Sequence, residues 1–122
     1  MKILYCEHCG NLVVYTNKVE TPIVCCGETM KVLEAGVKDA AVEKHVPVLT
    51  REGNNLHVAV GEVAHPMGED HFIETIIVEQ GDFFQVVKLN PGDAPEADFV
   101  IKDGPVTVYE FCNLHGLWKA EA

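Results

Sequence analysis

Four cysteines fall within the first 26 residues, as Cys6-x-x-Cys9 and the adjacent pair Cys25-Cys26, while the fifth, Cys112, stands near the other end of the chain. A segment of about 36 residues cannot bury a self-sufficient core, so residues 1–36 need a metal ion or a partner surface to fold. Disulfides are the weaker explanation. The cysteine count is odd, and Met1-Lys2-Ile3-Leu4-Tyr5-Cys6 holds one basic residue and no apolar stretch of signal length. In a reducing compartment such thiols more often bind metal than pair, so metal binding and a cytoplasmic location are expected.

The spacing supports a tetrahedral ion. Cys6-x-x-Cys9 places two sulfurs on a tight turn, with Gly10 after it to release the backbone. Adjacent side chains diverge, so Cys25 and Cys26 can share an ion only if the chain bends sharply there, which Gly27 permits. Zinc and iron are equally open on this spacing alone. His8, between two of the cysteines, reads as solvent-facing rather than as a fifth donor.

Gly36 marks a junction, dividing the chain into residues 1–36 and 37–122. Asp39 to Glu43 reads as one helical turn with Asp39 as its N-cap. From His45 onward the pattern is strand after strand. Leu56, Val58 and Val60 alternate with His57 and Ala59, the period of a half-buried strand. Phe72 to Val78 and Phe83 to Leu89 are rich in β-branched and aromatic residues and flank Gln80-Gly81-Asp82, a hairpin signal. Phe99 to Ile101 and Val106 to Tyr109 flank Asp103-Gly104-Pro105. Glu52 to Asn55 and Asn90 to Asp93 supply further breaks. Six or seven short strands with regular turns predict an all-β chain, a small four-cysteine metal domain followed by an immunoglobulin-like antiparallel β-sandwich.

Nine Lys and Arg against 19 Asp and Glu give a formal charge of −10. That balance argues against nucleic acid and anionic membrane surfaces as partners, and the apolar runs are too short to span a membrane. An anionic substrate would need local positive charge to offset it.

The second domain carries His45, His65, His71, Cys112 and His115. A lone histidine in a sandwich is usually a hydrogen-bonded structural residue, and His57 reads that way. The other four lie in loops or at strand edges: before Val46-Pro47, in His65-Pro66-Met67-Gly68, at the start of a strand, and in Cys112-Asn113-Leu114-His115-Gly116. Loops at one end of a sandwich converge. Four imidazoles and a thiolate are too many donors for closed tetrahedral zinc and suit an iron with one open position. A blue-copper site is disfavoured because Gly116-Leu117-Trp118 follows where a methionine is usual.

Cys6-Glu7-His8-Cys9-Gly10-Asn11, Cys25-Cys26-Gly27-Glu28, Glu43-Lys44-His45-Val46-Pro47, His65-Pro66-Met67, Asn90 to Ala97 and Cys112 to Trp118 together resemble the successive motifs of desulfoferrodoxins, the two-iron superoxide reductases. The resemblance covers nearly the whole chain in order. It implies a rubredoxin-like iron on Cys6, Cys9, Cys25 and Cys26. It also implies a catalytic iron with His45, His65, His71 and His115 in its equatorial plane and Cys112 on the axis, flanked by Glu43 and Lys44 at the open position. One-electron reduction of superoxide to hydrogen peroxide, a rubredoxin-like electron donor, a homodimer and a cytoplasmic location in oxygen-sensitive microbes are further implications. One departure is visible. Thr16 to Pro22 stands where family members often carry a glycine-rich turn, with Asn17 as the residue that tolerates left-handed geometry. Two other classes compete with the enzyme: a non-enzymatic iron electron-transfer protein, and a zinc-stapled interaction module.

Overall fold

A computed structural model of the chain describes residues 1–37 and 45–122, and every regular element in them is a β-strand. The chain forms two compact units, Met1–Glu34 and Ala35–Ala122. The expected helical turn at Asp39 to Glu43 lies outside the described residues, as do Glu43 and Lys44 themselves. Among the described residues no helix is long and apolar enough to cross a membrane.

The first unit is built from β1 (Ile3–Tyr5), β2 (Leu12–Val14), β3 (Val24–Cys25), β4 (Glu28–Thr29) and β5 (Lys31–Val32). β1 is central to a sheet of order β2-β1-β5, and β3 pairs with β4 as a separate ribbon. Its core is slight: Ile3 is buried, and Leu4, Cys6 and Met30 form a buried cluster with Val13, Tyr15, Ile23 and Cys25 packed around it. The loop that replaces the glycine-rich turn is closed by the Tyr15 hydroxyl, which donates to the Thr21 carbonyl. Asn17 does not adopt the left-handed backbone. Among the described residues Cys26 is the only non-glycine with positive φ.

The second unit contains β6 (Pro47–Glu52), β7 (Asn55–Val60), β8 (Ile73–Gln80), β9 (Phe83–Lys88), β10 (Glu96–Val100), β11 (Thr107–Cys112) and β12 (Gly116–Glu121). They form two antiparallel sheets, of order β10-β7-β6 and β12-β11-β8-β9. The alternation in β7 determines which face turns inward. Leu56, Val58 and Val60 meet Phe99 from their own sheet and Ile73, Ile76, Val78, Val108 and Cys112 from the other. His57 points outward instead, its Nδ1 2.6 Å from Asp98, in keeping with a structural role.

Two irregularities shape the end of the sandwich where the histidines lie. On β8, Phe111 pairs with Thr75 but Cys112 pairs with Ile73, so Glu74 is an extra residue, a β-bulge. The bulge shifts the strand's phase by one, and both Ile76 and Ile73 can face the core beside Cys112. Gly36, the expected junction, belongs to the second unit. Its N–H donates to Leu117 O at 2.9 Å, and its carbonyl accepts from Lys119 N–H at 2.9 Å.

Candidate metal centres

In the first unit the ligand atoms of Cys6, Cys9, Cys25 and Cys26 all lie within 4.8 Å of one another. Cys9 Sγ is 3.6 Å from Cys25 Sγ, and Cys25 Sγ is 4.0 Å from Cys26 Sγ. Four sulfurs at about 2.3 Å from a common ion stand about 3.8 Å apart at tetrahedral angles, so the cluster fits one. The tight turn at Cys6-x-x-Cys9 is closed by Gly10 N–H donating to Cys6 O at 2.9 Å.

Adjacent cysteines converge through an unusual turn. Cys26 and Gly27 are the two central residues between β3 and β4, with φ of 54° and 79°. Two positive φ values in a two-residue hairpin describe a type I′ turn, which glycine adopts freely and cysteine at a cost of roughly 1–2 kcal/mol. The left-handed backbone turns the Cys26 side chain back toward Cys25 rather than away from it. His8 is exposed and lies 3.1 Å from Glu28, outside the sulfur set.

The thiols cannot ionise independently. The backbone N–H of Cys9 holds the Cys6 thiol down at about 6, against a smaller upward push from burial. Interactions with Cys9, Cys6 and Cys25 push Cys26 up to about 12, because a thiolate beside other sulfurs is disfavoured. A bound cation would relieve that conflict and let all four ionise.

In the second unit the ligand atoms of His45, His65, His71, Cys112 and His115 also lie within 4.8 Å of one another. Five residues drawn from one end of the sandwich meet there: His45 before β6, His65 and His71 in the β7–β8 connection, Cys112 at the end of β11 and His115 in the turn to β12. The four imidazoles form a closed ring in which each meets the next edge to face. Ring centroids are 4.7 Å apart for His45–His65, 4.7 Å for His65–His71, 5.0 Å for His71–His115 and 4.8 Å for His115–His45. His45 Nε2 lies 3.0 Å from His115 Nδ1, and Cys112 Sγ lies 3.6 Å from His65 Nε2 and 3.9 Å from His115 Nδ1. Donors at about 2.1 Å from one ion stand about 3 Å apart at right angles and about 4.2 Å apart when opposed, so this set fits a single ion as well.

Hydrogen bonds prepare these donors. His65 Nδ1 is 2.8 Å from the Pro66 carbonyl, which can only accept, so Nδ1 carries the proton and Nε2 keeps its lone pair for the centre. Asn113 joins the two loops that supply four of the five donors. Its Oδ1 accepts from Phe72 N–H at 2.9 Å and its Nδ2 donates to Asp70 O at 3.0 Å, so it brackets His71. Asn113→Ala is expected to lower the stability of the second unit by about 1–3 kcal/mol, from two lost hydrogen bonds. It should also weaken metal retention about tenfold, as losses of supporting contacts do. Thermal unfolding and competition with a chelator read these two effects.

Several supporting residues were not singled out from the sequence. Asn113 and Trp118 stand inside the quoted motifs, yet what each side chain touches depends on tertiary placement. Met67 accepts Ile73 N–H on its sulfur at 3.3 Å, a contact with no sequence signal. Glu110 is buried to 1% exposure on β11, two residues before Cys112, where an alternating strand pattern would place an apolar side chain.

An all-β chain with a cluster of four cysteines in one unit and a ring of four histidines with one cysteine in the other defines a protein with two separate sets of metal donors. The family model for desulfoferrodoxin matches residues 37–121. The chain is 51% identical over 122 residues to a desulfoferrodoxin of Nitratidesulfovibrio vulgaris, covering 99% of this chain and 96% of that one. It is 43% identical over 120 residues to a desulfoferrodoxin homolog of Archaeoglobus fulgidus, covering 98% and 96%. The crystal structure of the superoxide reductase from Treponema pallidum is similar with a TM-score of 0.80 at 29% identity, over 98% of this chain and 95% of that one. This chain belongs to the desulfoferrodoxin family.

Proposed function

We propose that this protein is a superoxide reductase, with its reaction centre on His45, His65, His71, His115 and Cys112 and a second, rubredoxin-like iron on Cys6, Cys9, Cys25 and Cys26. The observation that carries the reading is the convergence of four imidazoles and one cysteine at one end of the sandwich. Iron, when bound, supplies the electron: superoxide takes up one electron and two protons and leaves as hydrogen peroxide, and a donor protein of the rubredoxin kind restores the ferrous state.

The chain's own residues meet the electrostatic problem of an acidic protein with an anionic substrate. Most of the excess acid falls in the second unit, since Met1–Glu34 holds Lys2, Lys18 and Lys31 against Glu7, Glu20, Glu28 and Glu34. Four neutral imidazoles and one thiolate leave a divalent ion with net positive charge, so the centre itself attracts an anion. Carboxylates farther off than about 8 Å count for little at physiological ionic strength. Lys44 adds a cation next to His45 in sequence, and we assign it to attracting the anion and ordering a proton-carrying water. Glu43 is assigned to the same open side of the centre.

Burial is uneven around the centre. Cys112, His45 and His65 are buried and His115 is exposed, so the centre meets solvent at the β11–β12 turn. The thiolate of Cys112 donates electron density that favours the oxidised centre. In the first unit Cys9 and Cys26 are exposed, which suits exchange of electrons with a partner protein. We further infer a homodimer working in the cytoplasm, in defence against superoxide.

The test is metal content with an optical spectrum, before and after superoxide is added. Iron at both sites is expected, with a visible band that changes on oxidation and hydrogen peroxide formed without evolution of dioxygen. Zinc in both sites with no visible absorbance would reject the enzyme in favour of a stapled interaction module.

A further inference from the structure

We propose that Trp118 is a positioning residue of the histidine–cysteine centre, one indole ring setting the plane of His45 and anchoring the backbone of His115. The inference rests on the reading of that centre as a metal site.

A histidine χ2 torsion is broad and roughly two-fold, so the side chain's own preferences leave the ring plane poorly fixed. A centre that needs several imidazole lone pairs aimed at one point therefore needs outside contacts to hold each ring. His65 has such a contact in the Pro66 carbonyl. His45 meets its neighbours His65 and His115 edge-on, at interplanar angles of 63° and 76°. Trp118 is different. It stacks on His45 with centroids 4.9 Å apart and an interplanar angle of 16°. A parallel wall at that distance resists rotation of the imidazole about χ2, the motion that would swing Nε2 away from His115 Nδ1.

The same ring acts on a second donor. Its Nε1–H donates to the His115 carbonyl at 3.1 Å, fixing the turn from which His115 projects. Trp118 is itself held in place. A Cβ on Gly36 would lie 2.6 Å from Trp118 Cε3 and 2.7 Å from Cζ3, so the indole fills the space that any side chain at position 36 would need. The two backbone hydrogen bonds between Gly36 and β12 keep that gap open. Gly36, Trp118, His45 and His115 thus form one chain of contacts, in which the glycine is there for the ring and the ring for the histidines.

The experiment compares Trp118→Leu and Trp118→Phe with the purified holoprotein. Leucine removes both the stack and the N–H, while phenylalanine restores a flat ring and lacks only the donor. Trp118→Leu is expected to shift the visible band and midpoint potential of the histidine–cysteine iron and to speed its loss to a chelator by about tenfold. Trp118→Phe should recover part of each change. Signals of the four-cysteine iron should stay as they are in both, which a general loosening of the protein would not predict. If Trp118→Leu fails to fold, Gly36→Ala, which pushes the ring without altering it, is read in the same way and should shift the same band. A folded Trp118→Leu or Gly36→Ala protein with the wild-type band, potential and chelator rate would overturn the proposal. Cys112→Ser serves as the reference. If it leaves metal content and spectrum unchanged, the reading of the centre fails and takes this proposal with it. If it abolishes the band while Trp118→Leu leaves it untouched, only the role of Trp118 fails.

Discussion

Cys112→Ser is expected to reduce superoxide consumption by more than about 100-fold while the four-cysteine centre keeps its metal and its spectrum. Changes to groups that merely support a ligand cost about 10–100-fold in affinity or activity, so loss of the ligand itself should exceed that. Serine is close in size to cysteine, and Cys112 lies fully buried at the end of β11, paired with β8 on one side and β12 on the other, so the fold should survive. What disappears is the soft, anionic donor, because a serine hydroxyl does not ionise near neutral pH and binds iron weakly. The measurement is superoxide decay in a pulse experiment, with absorption spectra of both centres recorded on the same sample. The result also separates the enzyme from a simple electron carrier. A carrier that works through the four-cysteine ion alone would lose nothing in electron exchange with its partner and would have had no superoxide consumption to lose.

Removing the ion from the first unit, by chelation or by Cys6→Ser, should unfold Met1–Glu34 and leave the sandwich intact. Only four apolar side chains are buried there, Ile3, Leu4, Cys6 and Met30, and one of them is Cys6, at once a sulfur donor and a packing residue. Apparent metal-binding free energies of about 10–16 kcal/mol accompany the folding of comparably small zinc domains. No hydrophobic cluster of this size replaces that contribution. Amide exchange makes the prediction local: protection of β1, β2 and β5 should vanish, while β7, β8 and β11 keep theirs. Superoxide consumption driven by a small-molecule reductant should continue. Survival of protected amides in β1 after complete metal loss would show that the first unit folds without it.

Legibility from the sequence followed the range of the interactions involved. β7 could be read because Leu56, Val58 and Val60 repeat at the strand's own period, and the β8–β9 hairpin because Gln80-Gly81-Asp82 interrupts two β-branched runs. β6 begins with a proline and continues into Thr50, Arg51 and Glu52, and β12 carries Lys119 and Glu121, so neither announces itself by composition. The sharp bend at Cys25-Cys26 was foreseeable from Gly27, though a left-handed cysteine was not, since it takes the hairpin register to require two positive φ values. For the histidine–cysteine centre, residue type and loop position marked the five candidates. Their meeting depends on pairings 40 to 70 residues apart in sequence, as between Phe72 and Asn113 or His45 and His115, which no local pattern encodes.

The extra residue at Glu74 has a bearing on how this chain can change over evolutionary time. Between His71 and Cys112 the sandwich counts residues two by two, and the bulge inserts a single odd step in that count. Length can vary at Glu69-Asp70, the exposed tip closed by the Gly68–His71 bridge, without disturbing the pairing of β8, because the tip itself stands outside that register. Within Phe72 to Thr75 it cannot, for one deletion there would reverse the facing of Ile73 and carry His71 around with it. Tolerance to insertion should therefore fall sharply from the exposed Glu69-Asp70 tip to Ile73 and Thr75, which are buried only a few residues later.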